Sequence, residues 1–172
     1  MKKYCLYFIA VLLIVSGCKA EKNADTSAVS VIKQTIEKFS ISETKSGKPN
    51  WVLDADVAEI FESEKRIWLK MPDIKFYTEG VYSSNLKAFS GRINTETYDI
   101  WGDSGCVLTT TKGETLITSN LHYRSDIKKI ITEENIKLIK PNEVIYGKGM
   151  EATPDLKSII IKKQIVEMEG NK

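Results

Sequence analysis

Trp51-Val52-Leu53-Asp54-Ala55-Asp56-Val57 sets the reading of the whole chain. Trp51, Leu53, Ala55 and Val57 fall on one face and Asp54 and Asp56 on the other, the period of two that marks a half-buried β-strand. Upstream, Phe39-Ser40-Ile41 alternates and Lys45-Ser46-Gly47-Lys48-Pro49 has turn chemistry. Downstream, alternating segments recur at 67–71, 74–77, 86–89, 98–101, 107–110, 114–123, 129–132, 135–139, 143–146 and 157–166. Pro72-Asp73, Glu79-Gly80, Gly102-Asp-Ser-Gly105, Lys112-Gly113, Pro141-Asn142 and Pro154-Asp155 separate them. Many short strands broken by turn residues predict an all-β fold, an antiparallel jelly roll, sandwich or barrel. No segment has a long 3.6-residue period with caps, and residues 62–65 read as a solvated hairpin tip.

A weak repeat of roughly 30 residues runs through this pattern. Residues 47–55 resemble 84–88 and again 113–118, and each copy is followed by a second strand. Met71-Pro-Asp-Ile-Lys is echoed by Thr153-Pro-Asp-Leu-Lys. Repeated hairpins cannot each bury their own apolar face, so they must stack on one another.

The chain has 172 residues, a length that suits one domain, with 25 basic and 23 acidic side chains. Lys2 and Lys3 precede an uncharged apolar run from Tyr4 to Val15. Twelve residues rise only about 18 Å as a helix, too short for a hydrocarbon core of about 30 Å. Residues 1–17 are therefore expected to be a signal peptide. Val15-Ser16-Gly17-Cys18 resembles the bacterial lipobox, which makes Cys18 the expected site of lipid attachment. Two or three acyl chains would anchor the protein stably to a membrane. Without residues 1–17 the chain carries 23 basic against 23 acidic groups, a balance that argues against nucleic acid as a partner.

Cysteine arithmetic agrees with this reading. Cys5 leaves with the signal and Cys18 carries lipid, so Cys106 has no disulfide partner and reads as a small buried hydrophobe. The single His122 cannot assemble a metal site or a nucleophile–base pair. Asp54/Asp56 and Glu133/Glu134 read as solvated strand faces, so no catalytic group, metal or cofactor is expected. Residues 18–35 read as the lipidated cysteine and a flexible tether, 36–168 as the folded domain, and 169–172 as a tail.

In order along the chain, Gly47-Lys-Pro-Asn-Trp51-Val-Leu-Asp-Ala55, Trp68-Leu-Lys-Met-Pro72-Asp-Ile-Lys-Phe76-Tyr77 and Leu86-Lys-Ala88 come first. Thr97-Tyr-Asp-Ile100, Gly105-Cys-Val107, Gly113-Glu-Thr-Leu-Ile-Thr118 and Leu121-His-Tyr123 follow. Together these stretches resemble the LptC family, the periplasmic component of the bacterial lipopolysaccharide-export system, from about Phe39 to Val166. The resemblance implies an OstA-like twisted β-jelly roll, open along one side, whose apolar interior holds acyl chains. It implies that lipopolysaccharide arrives from the permeases of an inner-membrane ABC transporter and leaves to a periplasmic bridge protein of the same fold. It also implies that the N-terminal sheet edge meets the transporter and the C-terminal edge meets the bridge protein. Many family members keep an uncleaved transmembrane helix where this chain has a lipobox. The expected location is the periplasmic side of the inner membrane, with the outer membrane as the alternative.

On that reading the alternating faces nominate the trough lining: Trp51, Leu53, Ile74, Phe76, Leu86, Ala88, Val107, Leu116, Ile136, Leu138 and Ile145. Ordinary core packing is the competing reading of each. Gly147 matches a family glycine tied to complex assembly, and with Gly149 forms the expected partner-binding segment. A β-bulge or bend explains the same glycines equally well. A structural adaptor with this fold and no lipid cargo is the alternative function.

Overall fold

The structure, a computed structural model, describes residues 33–165. The expected signal peptide, Cys18, the expected tether as far as residue 32 and the expected tail lie outside the described residues. Eleven strands form one antiparallel sheet: β1 Lys33–Lys45, β2 Lys48–Phe61, β3 Arg66–Lys70, β4 Asp73–Thr78, β5 Val81–Lys87, β6 Ser90–Asn94, β7 Ile100–Thr110, β8 Thr115–Arg124, β9 Lys129–Lys140, β10 Glu143–Ala152 and β11 Ile159–Ile165. β1 thus begins within the stretch expected to be tether.

The topology is a meander. β3 and β4 both pair with β2, and β5 and β6 both pair with β7, so each couple is one strand path with a break. The first break falls at Met71-Pro72, where proline has no N–H for the ladder and Met71 takes φ 51°. The second falls at Ala88-Phe89. Bonds from Met71 N to Phe89 O (3.0 Å) and from Phe89 N to Ser104 O (3.2 Å) stitch the breaks together.

These breaks belong to a line of irregularities running across the sheet. It passes through Lys38 (φ 54°), Met71, Ser104 and Gly105 (φ 62° and 76°), a register shift between Thr118 and His122, and Gly149 (φ 73°). Along it the inward-facing phase slips by one residue. In β2 it passes from Trp51, Leu53 and Ala55 to Ala58, and in β8 from Leu116 and Thr118 to Leu121 and Tyr123. The extra residue lets a strand bend while keeping its apolar residues on one side. Val57, expected beside Ala55, is only half-buried for this reason, and Ala58 takes the core position.

Two uninterrupted apolar rows therefore cross the sheet, one on each side of the crease. The first runs through opposed residues Ile41, Leu53, Ile74, Leu86, Leu108, Leu116, Leu138 and Ile145. The second runs through Ile60, Ile67, Ile93, Ile100, Tyr123, Ile130, Ala152 and Ile159. The sheet then closes on itself over these rows. Phe76 of β4 and Tyr123 of β8 bring their ring centroids to 5.0 Å, although three strand spacings separate them, about 14 Å in a flat sheet. Lys128 Nζ donates to Asn50 Oδ1 at 3.2 Å across five spacings. Two facing layers are the result, as expected for a jelly roll, but both belong to one continuous sheet.

Several boundaries differ from the sequence reading. Residues 102–105, expected as a turn, are a bulge within β7, so 98–101 and 107–110 are not separate strands. Segments 129–132 and 135–139 are one strand, with exposed Glu133 and Glu134 at its irregularity. Gly147 and Gly149 lie inside β10 rather than beyond a strand end. β6 carries no alternation legible in Ser90-Gly-Arg-Ile-Asn94.

Candidate functional site

The site to assess is the space between the two layers. Of the eleven nominated residues, nine face it and are buried: Trp51, Leu53, Ile74, Phe76, Leu86, Ala88, Leu116, Ile136 and Leu138. Ile145 is half-buried at the margin of the core. Val107 points outward at 38% exposure, opposite Lys87 and Ile117. The bulge at Ser104 and Gly105 sets the phase of β7, so Cys106 and Leu108 face inward instead. The second apolar row was not nominated, although its Ile67, Ile93 and Ile100 spacing is visible in the sequence. Only the pairing register reveals that these residues share a row.

The interior is filled. Trp51, Leu53, Ile74, Leu116 and Leu138 have no solvent exposure and belong to one continuous cluster of buried residues, within which Phe76 meets Tyr123. The rows emerge half-buried at their ends, the first at Ile41 on β1 and Ile145 on β10 and the second at Ile60 on β2 and Ile159 on β11, with Phe39 and Ile161 half-buried beside them. β1 pairs with β2 and β11 with β10, so among the described residues these two strands are the edges of the sheet.

At one end the layers part in a cleft of about 240 Å³ lined by Asn50, Phe76 to Glu79, Tyr123, Lys128 and Thr153 to Asp155. Phe76 and Tyr123 give it apolar walls. Burial raises the Tyr123 hydroxyl well above its ordinary pKa, and the nearby Glu43 and Asp99 charges raise it further. Tyr123 is therefore neutral throughout the physiological range. Asp155 at the rim is held below its usual value. Burial pushes it up, but the Thr153 hydroxyl (2.6 Å), the Lys157 N–H (3.2 Å) and the Lys157 charge outweigh that effect.

The groups considered for chemistry are otherwise engaged. Asp54 accepts from Ser40 Oγ (2.8 Å) and Lys75 Nζ (3.2 Å), which lower its pKa, and Asp56 pairs with Lys38 (3.1 Å). Glu133 pairs with Lys162. His122 stacks on Trp101, with ring centroids 4.4 Å apart, and its Nε2 lies 3.3 Å from Asp99 Oδ2. Cys106 is fully buried, and burial together with Asp103 pushes its thiol up to about 12, so it is no nucleophile.

The expected partner segment is shaped by close packing. A Cβ on Gly147 would meet Ile161 Cγ2 at 2.6 Å and Lys163 O at 2.9 Å. Gly149 takes φ 73° with Lys162 packed over it. Both glycines let β11 lie directly on β10. Among the described residues no helix is long and apolar enough to cross a membrane.

No curated protein matches the chain by sequence. One solved structure with the same fold is that of LptH from Pseudomonas aeruginosa, the LptA homologous periplasmic component of the conserved lipopolysaccharide transport device. It superposes with a TM-score of 0.51 at 10% identity, over 66% of this chain and 82% of that one. The family model described as lipopolysaccharide-assembly, LptC-related matches residues 4–166, nearly the full length, and the chain belongs to that family.

Proposed function

We propose that this protein is a membrane-anchored periplasmic carrier for lipopolysaccharide, held by acylated Cys18. It receives its cargo from the permeases of an inner-membrane ABC transporter and hands it to a bridge protein of the same fold. The observation that supports this reading best is the pair of apolar rows that cross nearly the whole sheet, one from β1 to β10 and the other from β2 to β11. Saturated chains exposed to water cost about 0.8 kcal/mol per methylene. Laid along these rows, they exchange one apolar surface for another at little net cost, so handover needs no catalytic group here and its direction can come from ATP hydrolysis elsewhere.

Photoreactive residues at Phe76 and Leu86, with one at outward-facing Val107 as reference, test the reading. Crosslinks to lipopolysaccharide from 76 and 86 but not from 107 are expected. No crosslink from either interior position, or equal yields from all three, would overturn it.

The adaptor reading draws on the complete filling of the interior, since a protein with no cargo needs no slot; the same crosslinks decide between the two. At the partner-binding segment, Gly147 and Gly149 act through the position of β11. A side chain at 147 would displace the edge strand on which the bridge protein is proposed to add its own strand.

A further inference from the structure

A polar strip lies on the inner face of the sheet beside the first apolar row, toward the cleft. Glu43, Trp51, Phe76 and Ser84 are opposed residues on β1, β2, β4 and β5, about 4.8 Å apart from strand to strand. Trp51 and Ser84 have no solvent exposure, yet Trp51 Nε1 and Ser84 Oγ have no hydrogen-bond partner in the protein. Glu43 Oε2 and, beside Trp51, Asn50 Nδ2 are likewise buried and unpartnered. The other buried polar side chains contrast with these: Ser83 donates to Phe76 O, Thr118 to Asn135 O, and Thr110 and Thr132 also have partners. Among the described residues the unsatisfied buried polar atoms thus lie on this strip or on Asn50 next to it. A buried donor or acceptor without a partner destabilises a protein, so a concentration of them points to a ligand that pairs with them.

Resting on the carrier reading, we infer that this strip is the subsite for the carbonyl linkage at the head of an acyl chain. Two of its atoms, Trp51 Nε1 and Ser84 Oγ, are donors that suit an amide or ester oxygen, and Asn50 Nδ2, one position along β2, lies at the cleft. The Glu43 carboxylate accepts from a neighbouring hydroxyl or N–H of the headgroup. The chain itself runs from the strip onto the neighbouring first apolar row, across Leu53, Ile74 and Leu86. Phe76 stands between Trp51 and Ser84 on the strip and walls the cleft with Tyr123, so turning aside that one ring connects the cleft to the donors.

Two short-chain amphiphiles separate the linkage from the chain. Decanoyl-N-methylglucamide has a ten-carbon acyl chain whose first carbon is the amide carbonyl, and decyl glucoside carries ten alkyl carbons on a glycosidic oxygen, so the one extra methylene favours the glucoside. Titrated below micelle formation into the full chain, the amide is expected to bind about tenfold tighter, the effect of one to two net hydrogen bonds. Ser84→Ala should reduce that preference and leave decyl glucoside affinity unchanged, and Trp51→Phe, at a residue that also lines the trough, should reduce the preference whatever its effect on decyl glucoside. Ser84→Ala should also keep or raise the denaturation midpoint of the free protein, because it removes an unpaired hydroxyl. Equal affinities for the two amphiphiles, or a parallel loss for both in Ser84→Ala, would overturn the subsite and leave the carrier reading standing. Failure of both to bind would overturn the carrier reading and the subsite together.

Discussion

Truncating Leu108 and Val107 in turn tests the crease on which the interior depends. Leu108 has no solvent exposure and sits in the first apolar row between Leu86 and Leu116. Leu108→Ala removes three carbons, about 2.4 kcal/mol of transfer free energy, and the residual cavity brings the expected loss to about 3–5 kcal/mol. Val107→Ala removes two methyl groups from an outward side chain that is 38% exposed, for a loss of about 1 kcal/mol or less. The gap of at least about 2 kcal/mol corresponds to roughly 1 M in urea midpoint. Equilibrium urea unfolding of both variants, followed by tryptophan fluorescence, measures it. If Val107→Ala costs as much as Leu108→Ala, the phase of β7 is inverted. The bulge at Ser104 and Gly105 would then not exist, and the inward row would have to be redrawn.

Two further predictions concern β11. Gly147→Ala puts a carbon 2.9 Å from Lys163 O, a backbone atom, so β11 must shift at an expected cost of about 1–3 kcal/mol. Hydrogen exchange should accelerate at residues 159–165 while β7 and β8 keep their protection, and unchanged exchange in β11 would contradict the clash. Asp155→Ala removes the acceptor for Thr153 Oγ1 and Lys157 N in the β10–β11 turn, an expected loss of about 1–3 kcal/mol at neutral pH. The folded-state pKa of Asp155 lies below its ordinary 3.8, so its stabilisation is fully present above that value and is lost as the pH falls through the folded pKa. Melting curves of the two proteins should therefore converge in acid; a gap that persists well below pH 3 would exclude this linkage.

The sequence reveals what depends on neighbours along the chain and conceals what depends on pairing. Trp51, Leu53 and Ala55 declare their strand because alternation is local. Gly102-Asp-Ser-Gly105 has the chemistry of a turn because a bulge and a turn both need residues that tolerate left-handed backbone, here Ser104 and Gly105. Mistaking one for the other shifts the parity of every residue that follows, which is how Val107 replaced Leu108 among the nominated residues. β6 escapes notice because Gly91 supplies no side chain to its inward face. Its Cβ would meet Trp101 O at 2.6 Å, so the position that would complete the alternation must be glycine. The polar strip is invisible for a different reason: Glu43, Trp51 and Ser84 are neighbours only through three ladders.

A filled interior and a lipid carrier are compatible only if loading is gradual. Fully exposing a Leu or Ile side chain costs about 1.5–3 kcal/mol, so laying open the six fully buried members of the first row would cost roughly 9–18 kcal/mol, as much as the whole stability of a typical domain. An empty, open trough therefore cannot persist in water, and on the carrier reading acyl chains must replace side-chain contacts one at a time. Exchange is cheapest where the rows are already half-exposed, at the edge strands. The two edges are unequal: β11 lies over Gly147 and Gly149, which contribute no side chains to hold it, whereas β2 presents no glycine to β1. The β11 edge is accordingly the weaker seam, and Ile159 and Ile161, already half-buried there, are the first apolar contacts that a cargo chain would exchange.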